Sequence, residues 1–279
     1  MTIYNAYGDR APIYIMIGNT MGAEFRRDEG DWNHSATDIA AMVREYVKWD
    51  DIPISLQHFA ESGVRAYKIA TTPPMGPVLL VADRHLQEPP IPEGAEPRIP
   101  KLPVTMPPQG DSGAVAEVAR LLLQAENPVI ALDHATRTQA GVDSLVELAE
   151  LLQAPVIDKW GRMNFSTRHP LSQSASGRRL IADADLILGL ELIDFFGLIN
   201  SPEDQVHEPT SRRIAKPGAK LISINVGDLY QKSVYQNFQR FTDVDLAIAA
   251  DVEATVPSLI EAVKRQITAA RKTAFQARG

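Results

Sequence analysis

Apolar residues along the chain fall into short unbroken runs, separated by stretches in which they recur every three or four positions. The first run, Ile13-Tyr14-Ile15-Met16-Ile17, ends at Gly18. It predicts a strand covered on both faces, the kind found in parallel sheets. A polar segment from Glu24 to Asn33 follows, carrying Arg26, Arg27, Asp28, Glu29 and Asp31. Ser35 then precedes Asp38 at capping-box spacing, and the stripe Ile39, Met42, Val43, Tyr46 and Val47 predicts a helix. Asp51 and Pro53 are expected to open the next helix, since proline is tolerated in a first turn where its missing N–H costs nothing. Leu56, Phe59, Ala60, Gly63, Val64 and Tyr67 continue it on one face until Pro73-Pro74, and Gly76-Pro77 leads into a second buried run, Val78–Ala82. Residues 1–87 thus read strand, helix, helix, strand, which is half of an α/β domain; two strands cannot close a core of their own. On that reading Ile13, Ile15 and Val78–Val81 are short of partners and form an exposed apolar edge prone to association.

Between Glu88 and Pro108 the pattern stops. Eight prolines (89, 90, 92, 97, 100, 103, 107 and 108) fall there with few apolar positions between them. Proline at that density blocks helix and sheet and favours an extended connector, so residues 88–110 read as a linker. From 111 to 279 the alternation returns. Val115, Val118, Ala119, Leu122 and Ala125 mark a helix, Pro128–Leu132 a strand, and Val142, Leu145, Val146, Ala149 and Leu152 another helix. Pro155-Val156-Ile157, Leu186–Leu190, Leu221–Val226 and Leu246–Ala250 are further strands, and Val256, Leu259, Ile260, Val263 and Ile267 a last helix. Strands alternating with helices imply an α/β, Rossmann-like, doubly wound parallel sheet with right-handed crossovers.

Composition narrows the function more than the fold. A net charge of −7 argues against nucleic-acid binding, which needs a basic surface, and no basic block suggests a membrane surface. Cysteine is absent, which excludes disulfides, thiolate nucleophiles and cysteine-ligated metals. The histidines at 34, 58, 85, 134, 169 and 207 include no i, i+4 pair, so no zinc motif can be drawn. The N-terminus lacks a signal-peptide pattern and no apolar run is long enough to span a bilayer; the expectation is a cytoplasmic protein.

Candidate chemistry is sparse. After Val129–Leu132 comes Asp133-His134-Ala135-Thr136-Arg137, and after Leu186–Leu190 comes Glu191-Leu192-Ile193-Asp194. Neither is a glycine fingerprint for a dinucleotide, and no Walker A sequence or G-x-S-x-G elbow occurs. Gly110-Asp111-Ser112 begins like the Gly-Asp-Gly motif that holds magnesium and diphosphate. No buried strand precedes it, however, and Asp111 or Ser112 is better read as the cap of the following helix. Asn33, His34 and Ser35 sit just ahead of a predicted helix N-terminus, where polar side chains often face a ligand. They are candidates for an active-site rim; the plainer alternative is capping and loop hydrogen bonding. Tryptophans 32, 49 and 160 read as packing residues.

The order of these segments resembles the thiamine-diphosphate-dependent enzymes, especially the acetolactate-synthase-like ones. The second half of their pyrimidine-binding domain runs from a strand ending in glycine through a helix ending in a threonine- or valine-lysine pair to a Gly-Pro-Val strand ending in aspartate. Here Ile13–Gly18, His34–Ile39, Val47-Lys48-Trp49 and Gly76–Asp83 follow that order. The central domain of the family is matched by Ala125–Ile130, Leu148-Ala149-Glu150, Ala154-Pro155-Val156, His169-Pro170-Leu171 and Ala184–Leu188. The resemblance implies thiamine diphosphate and Mg2+ as cofactors, a small 2-oxo acid as substrate, and lyase or transferase (carboligase) chemistry in an oligomer. The family's catalytic glutamate would precede Met1 and its Gly-Asp-Gly domain would follow Gly279, so a second copy or another chain is expected to supply them, and the isolated chain to be inactive. Glu191 stands where many relatives have glycine, and Ser35 where acetolactate-synthase-like members often have glutamine; these departures leave the substrate and any FAD in the central domain unsupported. The alternative is a non-catalytic binding or scaffold module built on the central-domain fold.

Overall fold

The computed structural model describes residues 1–20, 36, 38–159, 161–204, 210–229 and 240–278. The chain divides into two compact units, the first built on Met1–Met106 and the second on Pro107–Gln231 and Tyr235–Gly279.

In the first unit, helix α1 (Thr2–Gly8) leads to β1 (Tyr14–Asn19), β2 (Trp49–Asp51), α2 (Leu56–Thr71), β3 (Val78–Asp83) and the short α3 (Arg84–Gln87). The strands form a parallel sheet in the order β1-β3-β2. Successive side chains of β3 point to opposite faces, and both faces are covered. Leu79 and Val81 pack with Ala40 and Val47, whereas Val78 packs with Ala66 and Ala70 of α2. Three expectations need correcting. Val78–Val81 are not an exposed edge; they are the middle strand and nearly inaccessible, and the exposed apolar residues are Ile13 and Met16, at β1 on the outside. The stripe from Ile39 to Val47 does not form a helix but two 3-10 turns, Ile39–Met42 and Arg44–Tyr46, because Val43 leaves helical geometry (φ −130°) between them. Arg44 holds the compressed segment by bonding Asp38 and Asp50 together. Finally, Asp51 and Pro53 do not open α2. Asp51 ends a third strand, and Ser55 caps the helix by accepting from His58 N at 3.2 Å.

The connector after α3 has no regular structure, yet it is pinned. The Gln57 side chain bonds the Arg98 main chain in both directions, Arg98 N donating at 2.8 Å and Gln57 Nε2 donating back at 3.1 Å. At its far end Asp251 N donates to Pro108 O, within the second unit.

That unit runs α4 (Ser112–Gln124), β4 (Pro128–Leu132), α5 (Gln139–Leu152), β5 (Val156–Asp158), α6 (Gly177–Asp183), β6 (Leu186–Leu190), α7 (Phe195–Ile199), the antiparallel ribbon β7 (Asn200–Asp204) and β8 (Thr210–Arg213), β9 (Lys220–Ile224), β10 (Leu246–Ile248), α8 (Val252–Gln266) and α9 (Ala269–Arg278). Its five-stranded sheet is parallel throughout, in the order β10-β9-β6-β4-β5. Helices cover both faces. Ile130, Leu132, Leu186, Leu188 and Leu190 pack with α4, α5 and α8, and Val129, Ala131 and Ile187 pack with α6 and α7. This is the Rossmann-like α/β arrangement expected from the alternation. Asp111 caps α4 through Ala114 N at 2.9 Å, which settles the reading of Gly110-Asp111-Ser112. Helix α9 was not foreseen: Phe275, which is buried, is its one large apolar residue, and Arg271 ties it to the carbonyls of Leu123 and Ala125.

Leu188 is fully buried in the middle strand, so Leu188→Ala should cost about 2–5 kcal/mol, whereas Asp111→Ala should cost about 1 kcal/mol as a lost cap. Urea denaturation of both variants against the parent checks the ranking.

Candidate functional site

A parallel sheet delivers every strand's carboxyl end to one edge, and ligands in such folds lie there, where the strand order reverses. In the central sheet the chain goes from β4 outward to β5 and then back across to β6, so the reversal lies between β4 and β6. Four of the five ends lead to an acidic residue, Asp133 after β4, Asp158 closing β5, Glu191 after β6 and Asp251 shortly after β10, whereas β9 leads to Asn225.

Each carboxylate is held. Asp133 Oδ2 accepts from Ile193 N at 3.3 Å. Glu191, almost wholly buried, turns through the left-handed region (φ +52°) and its Oε1 accepts from Val226 N (3.1 Å) and Val252 N (3.3 Å). Asp251, fully buried, receives Arg137 in a forked pair, 2.6 Å from Nη1 and 2.8 Å from Nη2. Glu253 takes the Arg137 main-chain N–H and the Thr138 hydroxyl, and it approaches Gly141 so closely that a Cβ there would lie 2.9 Å from its carboxyl carbon. Burial works against the Arg137 charge, but the bond to Asp251 and the field of Asp251, Glu253 and Glu191 outweigh it and raise the guanidinium pKa above its ordinary value.

His134 is the exception. Its ring is buried, and neither nitrogen makes a hydrogen bond among the described residues. Nδ1 lies 3.2 Å from Asp133 Oδ1, within ion-pair distance but without hydrogen-bond geometry. Gly161 closes over the pair: a Cβ at that position would be 2.0 Å from Asp133 Oδ1 and 2.7 Å from the imidazole. Asn164, fully buried, latches this segment by donating to Asp133 O and Asp158 Oδ1 and accepting from Ala135 N and Thr136 N. Beside β5 a cavity of about 270 Å³ is lined by Asp158, Lys159, Ser174 and Arg178, bringing two cations to the rim of this acidic edge. An anionic group of a ligand would be met there.

The first unit has its own set of strand ends. Asn19, closing β1, donates to Asp83, closing β3, at 3.0 Å, both buried. Asp51, closing β2, accepts from the Ser62 hydroxyl and lies 3.1 Å from His58 Nε2, while His58 Nδ1 faces Ile54 N. Both nitrogens of His58 are engaged, which makes it a brace and leaves no free nitrogen for proton transfer. Lys48 serves α2: its Nζ donates to Ile69 O (2.8 Å) and Thr72 O (2.6 Å), carbonyls at the helix end. The Val47-Lys48 pair therefore precedes a strand and caps a helix, where the sequence suggested a helix terminus.

Asn33, His34 and Ser35, the rim candidates, lie outside the described residues, as do Trp32 and Trp160. Asp133, His134, Asn164, Glu191 and Asp251 were not singled out as a site. A signal existed, in that a polar residue follows directly on an unbroken apolar run at Leu132-Asp133, Leu190-Glu191 and Ala250-Asp251.

Comparison with known proteins gives the family. The pattern of the thiamine pyrophosphate enzyme central domain matches residues 115–259, just over half the chain, and the chain belongs to that family. A structure from Mycobacterium smegmatis, described as a thiamin diphosphate-dependent enzyme, is similar in fold with a TM-score of 0.68 at 21% identity, over 94% of this chain and 47% of that one. Benzoylformate decarboxylase from Polynucleobacter necessarius is similar with a TM-score of 0.70 at 20% identity, over 94% of this chain and 46% of that one. The chain thus spans less than half the length of these structures. The family implies thiamine diphosphate, and the Gly110-Asp111-Ser112 segment does not fit its metal-diphosphate end. No group of three or more His, Asp or Glu side chains among the described residues could hold a metal ion, Asp111 is committed to a helix cap, and Gly110 is enclosed by Val115, Ile248 and Thr255. No described helix is long and apolar enough to cross a membrane.

Two outcomes follow from these contacts. Asp251→Ala strands the Arg137 charge and should cost about 3–5 kcal/mol, and adding Arg137→Met should recover a large part of that loss; additive losses in denaturant titrations would contradict the pairing. Burial lowers the Lys48 pKa from 10.5 to about 8 in the folded chain. Between those values the unfolded state binds the proton that the folded state has released, so this group's contribution to stability rises with pH from about 8 to 10.5. Lys48→Met should flatten that rise in denaturation curves taken across the interval.

Proposed function

We propose that this chain is a portion of a thiamine-diphosphate-dependent lyase or carboligase acting on 2-oxo acids. Residues 1–87 are then the second half of a pyrimidine-binding domain, 88–110 a linker and 111–279 the central domain. The observation that carries the reading is the family match over residues 115–259, together with a fold likeness that extends through the first unit to 94% of the chain. The reading gives thiamine diphosphate and Mg2+ to a site completed by other protein, in the same or a second chain, that carries the glutamate and the Gly-Asp-Gly motif; the commitment of Asp111 to a helix cap supports it. The outer edge of β1, with Ile13 42% and Met16 56% exposed, gives further strands a place to pair. Thiamine diphosphate supplies the carbanion chemistry when bound, and the protein contributes orientation and proton transfer. Asn33, His34 and Ser35 remain the rim candidates on this reading. FAD gains no support on this reading: Asp133 and Glu191 flank the strand reversal with carboxylates, where a dinucleotide's diphosphate needs main-chain N–H groups.

Calorimetric titration tests the proposal. The chain alone should show no magnesium-dependent binding of thiamine diphosphate. Combined with a polypeptide bearing the glutamate and Gly-Asp-Gly segments, it should bind saturably and decarboxylate a 2-oxo acid. Tight magnesium-dependent binding by the chain alone would overturn the account.

A further inference from the structure

At the amino end of the central sheet, opposite the strand ends described above, lies a pocket of about 580 Å³, within the roughly 300–1,000 Å³ usual for small-molecule sites. Its floor is apolar, made by Pro128, Val129, Leu171 and Leu180. Its walls are fixed by hydrogen bonds from the main chain. The Asp185 carboxylate holds the N–H groups of Glu126 (2.7 Å) and Asn127 (2.9 Å), and Val156 N donates to Leu171 O at 2.8 Å. These bonds hold the segments that line the pocket in place, which lowers the ordering cost of binding.

The charges on its rim select the ligand class. His169 is committed: Nδ1 accepts from Leu171 N at 3.2 Å, which leaves the proton on Nε2, facing Glu150 Oε1 at 3.2 Å, and the ring stands edge-on to Phe165 with centroids 5.0 Å apart. Arg179 and Asp183, both from α6, make no ion pair or side-chain hydrogen bond with any described residue. An apolar carboxylic acid could pair with Arg179 but would face the carboxylates of Asp183 and Glu150. An apolar amine would satisfy those carboxylates and face the guanidinium. A ligand carrying both charges beside an apolar body offers a counter-charge to Arg179, Asp183 and Glu150 at once.

We propose that this pocket binds a free α-amino acid with a bulky apolar side chain. Its carboxylate meets Arg179, its ammonium meets Asp183 with Glu150 alongside, and its side chain lies on the floor. The site belongs wholly to the second unit and requires no thiamine diphosphate, so its failure and that of the enzymatic reading are separable.

Calorimetry on the full chain near neutral pH tests it, with L-phenylalanine as the probe. Saturable binding in the millimolar range is expected. Phenylpropanoate, which lacks the ammonium, and phenylethylamine, which lacks the carboxylate, should each bind at least about tenfold more weakly. Arg179→Ala and Asp183→Asn change exposed side chains, so their melting temperatures should match the parent while affinity for L-phenylalanine drops about tenfold. Absence of saturable heat, equal binding of either analogue, or undiminished binding by Arg179→Ala would overturn the proposal.

Discussion

The burial of β6 from both faces constrains the rest of the central unit. Leu186 through Leu190 offer nothing polar to solvent, so helices must cover the sheet on each side, and each crossover must return its strand in the same direction. All carboxyl ends then emerge along one edge. There the main-chain N–H groups of the departing loops lose their sheet partners and need acceptors. The carboxylates supply them: Asp133 for Ile193, Glu191 for Val226 and Val252, Asp251 for Ala254. The acidity of the edge thus follows from how the sheet is closed.

Gathering carboxylates in a buried place has a cost, and Arg137 offsets it. Its fork on Asp251 and its main-chain bond to Glu253 draw the start of α8 to the loop after β4, linking elements far apart in sequence. The same arrangement separates this edge from a dinucleotide site. A diphosphate is received where a glycine-rich turn presents main-chain donors, and here those donors are already taken by side-chain oxygens.

Much of the fold was legible because its strands are apolar without interruption and its crossover helices carry regular stripes; Leu186–Leu190 and the stripe from Val115 to Leu122 were read directly. What escaped had little apolar signal. Trp49-Asp50-Asp51 is a strand only because β3 offers an open edge beside it, and α9 is a helix docked by Phe275 and Arg271. The stripe Ile39–Val47 misled in the opposite way. Its apolar residues do reach the core, but Arg44 bonding both Asp38 and Asp50 favours tight turns over a continuous helix. The strand-end side chains that build the site were legible only as polar residues after apolar runs, a pattern that marks position without revealing contacts.

Two local violations meet where the strand order reverses. Glu191 occupies left-handed backbone, a conformation that costs a residue with a side chain on the order of 1 kcal/mol or more. Just past the neighbouring strand His134 buries an imidazole with no hydrogen bond among the described residues, a loss of roughly 1–3 kcal/mol. Among the described non-glycine residues of the unit the other left-handed one, Gln153, merely ends α5, where such geometry is ordinary. His134 and Glu191 have no such local excuse, and they adjoin, His134 N approaching Glu191 O at 3.5 Å. Left-handed backbone and an unbonded buried imidazole lie side by side here, the kind of local conflict that natural proteins carry at functional sites. That point is where α/β sheets place their ligands, which ties the functional question for the central unit to the β4–β6 reversal.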